Sequence, residues 1–321
     1  MVAAVTIREN GVAEMAYVGE KPWHGLGAEL QSGADISTWR RAAGMDWSIL
    51  AGAVNYSTPA GQCEMPGQQV LYRSDNQLPL AVVSNAYKVV QPADVLEFFS
   101  DLADDNGFTL ETAGTLFQGR RFWALASINE HACVVGNDAV GGYLLLSTSC
   151  DGTLTTNARF TSVRVVCHNT LTMARKGKAD TGVTIRHNTA FKANKVKDEL
   201  GIARDSFGSF MKSARTLAAK SMSKRSAEKF VEDLLVDAKF NTPENVRKSR
   251  QFNRILDLFQ GSGVGAELQG AEGTAWGLVN AVTEFVDHHT RARTSSARLA
   301  NAWFGRGDDL KTQSFERALA L

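Results

Sequence analysis

FTLETAGTLFQGRRFWALASI (108–128) reads as two strands and a tight turn. Phe108 to Phe117 and Arg120 to Ile128 are apolar-rich runs of strand length. The Gln118-Gly119 pair between them is a hairpin signal, because glycine tolerates the positive φ that a tight reversal needs. Further along, Ala132 to Val135 and Tyr143 to Thr148 continue the β pattern, split by the Gly136-Asn137 turn signal and by Gly141-Gly142. Asp151-Gly152 marks another reversal and leads into Leu154 to Phe160. Before the hairpin, Trp47 to Val54, Gln69 to Arg73 and Leu80 to Ser84 are short apolar runs between Gly, Pro and Asn signals. Many short strands joined by hairpins, with few helices between them, define an α+β class with an antiparallel sheet.

Helices flank this β-rich part. Asp35 caps a short helix to Ala43, whose Trp39 is expected in the core. Pro92 opens another, with Val95, Leu96, Phe98, Phe99 and Leu102 on its buried face and Asp104 to Gly107 at its end. TGVTIR (181–186) reads as one more strand. From Asn188 the pattern turns helical: Thr189 to Ala219, Ser226 to Asp237, Pro243 to Phe259 with Thr242 as N-cap, Thr274 to Thr290 and Ser296 to Phe304. Gln260 to Gly273 holds five glycines and reads as a flexible loop. The organisation expected is an irregular N-terminal arm (1–30), an α+β core (31–187) and a mostly helical C-terminal region (188–321).

Composition excludes several classes. The 321 residues are 44% apolar and 21% charged, as in soluble globular chains. No apolar run reaches the length of a membrane span, and MVAAVTIREN lacks the pattern of a secretion signal, so a cytoplasmic location is expected. Cys63, Cys133, Cys150 and Cys167 have no zinc-ribbon spacing and are expected to be free thiols.

Net charge is +1, which conceals a sharp asymmetry. Residues 1–151 carry 8 Lys/Arg against 17 Asp/Glu, residues 152–229 carry 16 against 5, and residues 230–321 carry 11 against 12. A localised excess of +11 in a nearly neutral chain points to an anionic partner. The lesser reading is a solvated helical face that pairs with the acidic first half. TSVRVVCHNTLTMARKGK (161–178) opens that region. At helical spacing it gathers Arg164, His168 and Arg175 into one sector, beside an apolar sector of Val163, Cys167, Thr170 and Ala174. This predicts a helix with one buried and one cationic face.

A polyanion site built on that helix would use Arg159, Arg164, His168, Arg175, Lys176 and Lys178, extended by Arg186, Lys192 and Lys195. Phe160 adds a ring on which a base could stack, though a lone Phe is more commonly core. Other constellations are weaker. Cys150 and His168 lack any activating motif for a thiol nucleophile. Glu284 and His288 share a helical face but have neither H-E-x-x-H order nor a third metal ligand. GSGVG (261–265) lacks the terminal G-K-[ST] of a phosphate loop. Trp23 and His24 sit together in a turn-rich segment, His24 expected as a buried hydrogen-bonded residue. No catalytic residue, metal or cofactor is therefore expected.

Three segments, MAYVGEKPWHGLG (15–27), DGTLTTNARFTSVRVVCHNTL (151–171) and GTAWGLVNAVTEFVDHH with LANAWFG (273–289, 299–305), carry a resemblance. Together the chain resembles the phage/plasmid-like proteins grouped as domain of unknown function family 932. The resemblance implies a mobile-element origin and a bacterial cytoplasm, and supplies no reaction. In outline the β-rich first half and basic helix are also similar to phage single-strand annealing proteins. The function expected is non-enzymatic binding of nucleic acid, single-stranded DNA above all, in recombination or replication. A homo-oligomer is expected with it, a ring being one form of it. The alternative is a host-interaction (anti-defence) or assembly protein whose basic region docks a protein; an enzyme ranks third.

Overall fold

The computed structural model describes residues 6–8, 11–19, 26–106, 108–164, 166, 169–172, 182–189, 205–236 and 242–321. Its centre is a mixed but mainly antiparallel sheet. The strands are β1 (Met15–Val18), β2 (Ala28–Leu30), β6 (Thr109–Leu116), β7 (Arg121–Cys133), β8 (Ala139–Ser149), β9 (Thr156–Arg164), β10 (Asn169–Thr172) and β11 (Gly182–Ile185). They lie in the order β10-β9-β8-β7-β6-β1-β2, with β11 also paired to β9. Strands β3 (Ile49–Thr58), β4 (Gly61–Arg73) and β5 (Pro79–Ser84) form a second, antiparallel sheet.

The reversals are where turn chemistry puts them. Phe117 and Gln118 adopt φ of 54° and 62°, and Gly119 comes next at 91°, so the β6–β7 turn runs left-handed through all three. Gly136 (φ 57°) lies between β7 and β8, and Gly152 (φ 72°) between β8 and β9. Gly141 and Gly142 do not interrupt the β pattern: both lie inside β8, opposite His131 on β7 and Ser162 on β9 respectively.

Alternation along the strands divides the side chains between two faces. Phe122, Ala124, Ala126, Leu144, Leu146, Ala158 and Phe160 belong to the main core, with helix α2 (Pro92–Asn106) against β6 and β7. Leu116, Trp123, Leu125 and Leu145 point the other way and pack with Met15, Ala300 and Trp303. The Trp123 and Trp303 rings meet edge to face, 5.1 Å between centroids. Helix α1 (Ile36–Ala42) is capped by Asp35 as expected and buries Trp39.

The C-terminal region is helical. It comprises α3 (Asp205–Ala218), α4 (Lys224–Leu235), α5 (Pro243–Lys248), α6 (Arg250–Asp257), α7 (Ala275–Glu284), α8 (Ser295–Phe304) and α9 (Arg306–Ala320). Every residue of α7 is buried. Helices α3, α6 and α9 contact it, and α7 and α9 reach β10.

Several expectations need correction. The helix predicted from Thr161 is absent where the structure describes it. Residues up to Arg164 complete β9, and Asn169 to Thr172 pair back onto Arg164 to Thr161. The N-terminal arm is not wholly irregular, because β1 pairs with both β6 and β2. Trp23 and His24 lie outside the described residues. The Pro243 to Phe259 helix is broken at Ser249, which ends α5 and caps α6 through Phe252 N. Of the long Thr189 to Ala219 helix, the described part is α3. Helix α9 is an addition that the sequence pattern does not announce. Among the described residues no helix is long and apolar enough to cross a membrane.

A buried ion pair locks the second sheet to the first. Arg73 Nη2 donates to Glu14 Oε1 at 2.7 Å and Nη1 to Oε2 at 3.1 Å, while Nε and Nη2 also reach the Asp75 carboxylate. Thr115 Oγ1 donates to Glu14 Oε2, and the guanidinium lies 4.1 Å from the Trp47 ring centre. Arg73 and Glu14 are 2% and 1% exposed, so neither charge has water to fall back on. Arg73→Met should therefore cost about 3–5 kcal/mol of unfolding free energy, because it removes the bidentate partner of a buried carboxylate and leaves it only Arg8 and Thr115. A denaturation midpoint indistinguishable from wild type would contradict this role for the pair.

Candidate nucleic-acid interface

Strand β9, TNARFTSVR, carries three of the expected site residues, and alternation sends them to different places. Phe160 is 1% exposed in the main core and cannot stack on a base. Arg164 is 3% exposed. Its Nε and Nη2 donate to Asp138 Oδ1 and Oδ2 at 2.6 and 3.0 Å. Nη2 also donates to Gly265 O at 3.0 Å, and Trp276 Nε1 donates to the same Asp138 Oδ2 at 2.9 Å. A phosphate contact at Arg164 is thus corrected: the guanidinium is already saturated by a buried carboxylate and carbonyls. Arg159, on the opposite face, donates from Nη1 to Asp308 Oδ2 at 2.7 Å and lies over the Phe304 ring. It is spoken for by the C-terminal helices.

Beyond β9 the sheet carries two short strands. β10 pairs with Thr161 to Arg164 and β11 with Thr156 to Arg159, so the two lie end to end along one strand. The chain leaves this edge at Thr172, opposite Thr161, and rejoins it at Gly182, opposite Arg159. By sequence the intervening residues are MARKGKADT (173–181), with Arg175, Lys176 and Lys178. These three, with His168, Lys192 and Lys195, lie outside the described residues. Arg186 is described, just past β11, and is exposed.

The structure also brings up residues that sequence reading missed. Lys88 N donates to His187 O, placing exposed Lys88 beside exposed Arg186. The His187 ring stacks on Tyr87 at 4.6 Å between centroids and 16° between planes, and His187 Nε2 is 2.9 Å from Leu154 O. Tyr87 in turn donates to Ser149 O at 2.9 Å. The aromatic pair thus fastens the end of β11 to the segment between β5 and α2. Only the pairing of Tyr87 with His187, a hundred residues on, could have revealed it, and no local pattern encodes that.

The weaker constellations take structural places. Burial pushes the Cys150 thiol up to about 12, and Sγ donates to the Gly119 and Arg120 carbonyls, so this thiol is held protonated. Glu284 Oε2 accepts from Val264 N at 3.0 Å, and its Oε1 is 3.4 Å from His289 Nε2. The GSGVG amide that a phosphate would need is therefore used by Glu284. Within the same loop Arg164 donates to the Val264 and Gly265 carbonyls. Among the described residues no group of three His, Cys, Asp or Glu is placed to hold a metal.

Arg164→Ala should destabilise the fold by about 3–5 kcal/mol by orphaning Asp138, whereas Arg186→Ala should leave the melting temperature unchanged. Equal melting temperatures for the two variants would contradict the geometry. In thiol labelling with mass mapping, exposed Cys133 should react in the native protein and Cys150 only on unfolding. Native-state labelling of Cys150 would show that its packing is wrong.

No curated protein and no solved structure matches the chain. The family model does match, from β5 into α8, and so covers the central signature segment and the C-terminal one as far as residue 303, but not the one at 15–27. Residues 79–303 match the model described as Domain of unknown function (DUF932), and the chain belongs to that family.

Proposed function

We propose that the protein binds nucleic acid, single strands in preference to duplex, through the basic β10–β11 edge, in phage or plasmid recombination or replication. The observation that carries this reading is how little of the described part of the basic block is neutralised internally. Among the described residues of 152–229, ion pairs engage Arg159, Arg164 and Lys229. Lys212, Arg215, Lys224, Arg225 and Arg186 are all exposed. Residues 173–204 carry eight Lys/Arg against three Asp/Glu. Phosphate neutralisation by about five of Arg175, Lys176, Lys178, Arg186, Lys192, Lys195 and Lys88, the first three among them, is the mechanism. Such a term needs no catalytic group and is strongly salt-dependent.

Fluorescence anisotropy with a labelled oligonucleotide tests it. With about five phosphate contacts, log K should fall with log salt at a slope of about −3.5 on single strands. That is about a 100-fold loss between about 50 and about 200 mM salt. The triple variant Arg175→Ala, Lys176→Ala, Lys178→Ala should flatten the slope to about −1.4, and Arg186→Ala alone by about 0.7. Absence of binding at the lowest salt, or a slope untouched by the triple variant, defeats the proposal.

A further inference from the structure

We infer that strand β3 is a self-association edge, pairing antiparallel with the β3 of a second copy across a two-fold axis near Val54. This pairing is independent of nucleic-acid binding and uses a different surface.

The β3–β4 hairpin outruns its sheet. β5 pairs with β4 only from Gln68 onward, so residues 54–67 have no third strand beside them. Asn55, Tyr56, Ser57, Gln62, Glu64 and Met65 are exposed there, Tyr56 and Met65 at 52% and 46%. Projecting ribbons of soluble monomers are normally blunted with charge. This one is not: from Trp47 to Tyr72 the single charged residue is Glu64, on β4.

The backbone of β3 selects the occupant. Ile49 N and O both bond the Gln91 side chain, so Ile49 turns its peptide groups away from β4. Alternation then turns those of Ala51, Ala53, Asn55 and Ser57 the same way. Among the described residues these four have no backbone partner on that side. They are symmetric about Val54. Two-fold antiparallel pairing matches Ala51 of one copy with Ser57 of the other, and Ala53 with Asn55, and stops where Gln91 already caps Ile49. Tyr56 then falls opposite Gly52 of the other copy, an aromatic ring over a residue without a side chain. A two-fold axis sets like against like, and β3 holds no charge to repel its mate. Leu50 and Val82, 41% and 57% exposed, lie on the outward face that such pairing would extend. The contact is isologous and closes at two copies, so it yields a dimer and no ring.

Light scattering on the full chain across a dilution series is the test. Wild type should weigh twice the 34.8 kDa chain mass. Asn55→Lys sets two lysines near the axis, and Ala53→Pro removes an amide that faces outward and so spares the β3–β4 ladder. Both should weigh one chain, with an unchanged melting temperature in dilute solution. Val54→Cys should form a disulfide-linked dimer on mild oxidation, because directly opposed residues of a non-hydrogen-bonded pair have Cα atoms about 4.5 Å apart. A wild-type mass of one chain at every concentration, which would leave the edge for a strand of another protein, overturns the inference. So does a dimer that survives both edge variants, or a Val54→Cys variant no more cross-linked than wild type.

Discussion

The Asp138–Arg164 pair holds the sheet, the glycine-rich loop and the helical layer in one arrangement. Asp138 belongs to the turn between β7 and β8, Arg164 ends β9, and Trp276 lies in the first turn of buried α7. Two charges removed from water are costly unless each polar atom is satisfied. Here Arg164 grips both carboxylate oxygens and the Gly265 carbonyl, and the indole of Trp276 completes the carboxylate. With the end of β9 fixed by this cluster, the edge that β10 and β11 occupy is fixed as well.

The hairpins, the caps at Asp35 and Thr242 and the helical C-terminal region were legible because each is set by local chemistry: a positive φ, an N-cap side chain, an apolar period. The Thr161 segment misled for a physical reason. Arg164, His168 and Arg175 do share a helical sector, but Thr161, Val163, Val165 and Val166 are β-branched, and β8 offered a strand partner. Phe160, Ser162 and Arg164 lie on one face of that strand. A buried arginine there makes sense only once Asp138, twenty-six residues earlier, is in place. The N-terminal strand β1 was hidden likewise, since four residues of β pattern carry weight only when β6 is alongside.

For function, the consequence is a separation of surfaces. Arg73 on β4 and Arg159 and Arg164 on β9 are consumed in holding elements together. By sequence, residues 173–204 carry eight Lys/Arg; of these Arg186, just past β11, is described and exposed, as is Lys88 beside it. The β3–β4 ribbon on the second sheet is nearly free of charge. The proposed polyanion binding and the proposed pairing of two copies would therefore call on different chemistry and different strands, without competing.

Hydrogen–deuterium exchange with and without a single-stranded oligonucleotide, at low salt, is the sharpest check on nucleic-acid binding at the β10–β11 edge. Exchange should slow in peptides spanning 173–204 and in the segment around Lys88, with the buried amides of β9 and the β3–β4 ribbon unchanged. Protection confined to the ribbon, or no difference anywhere along the chain, would contradict binding at that edge.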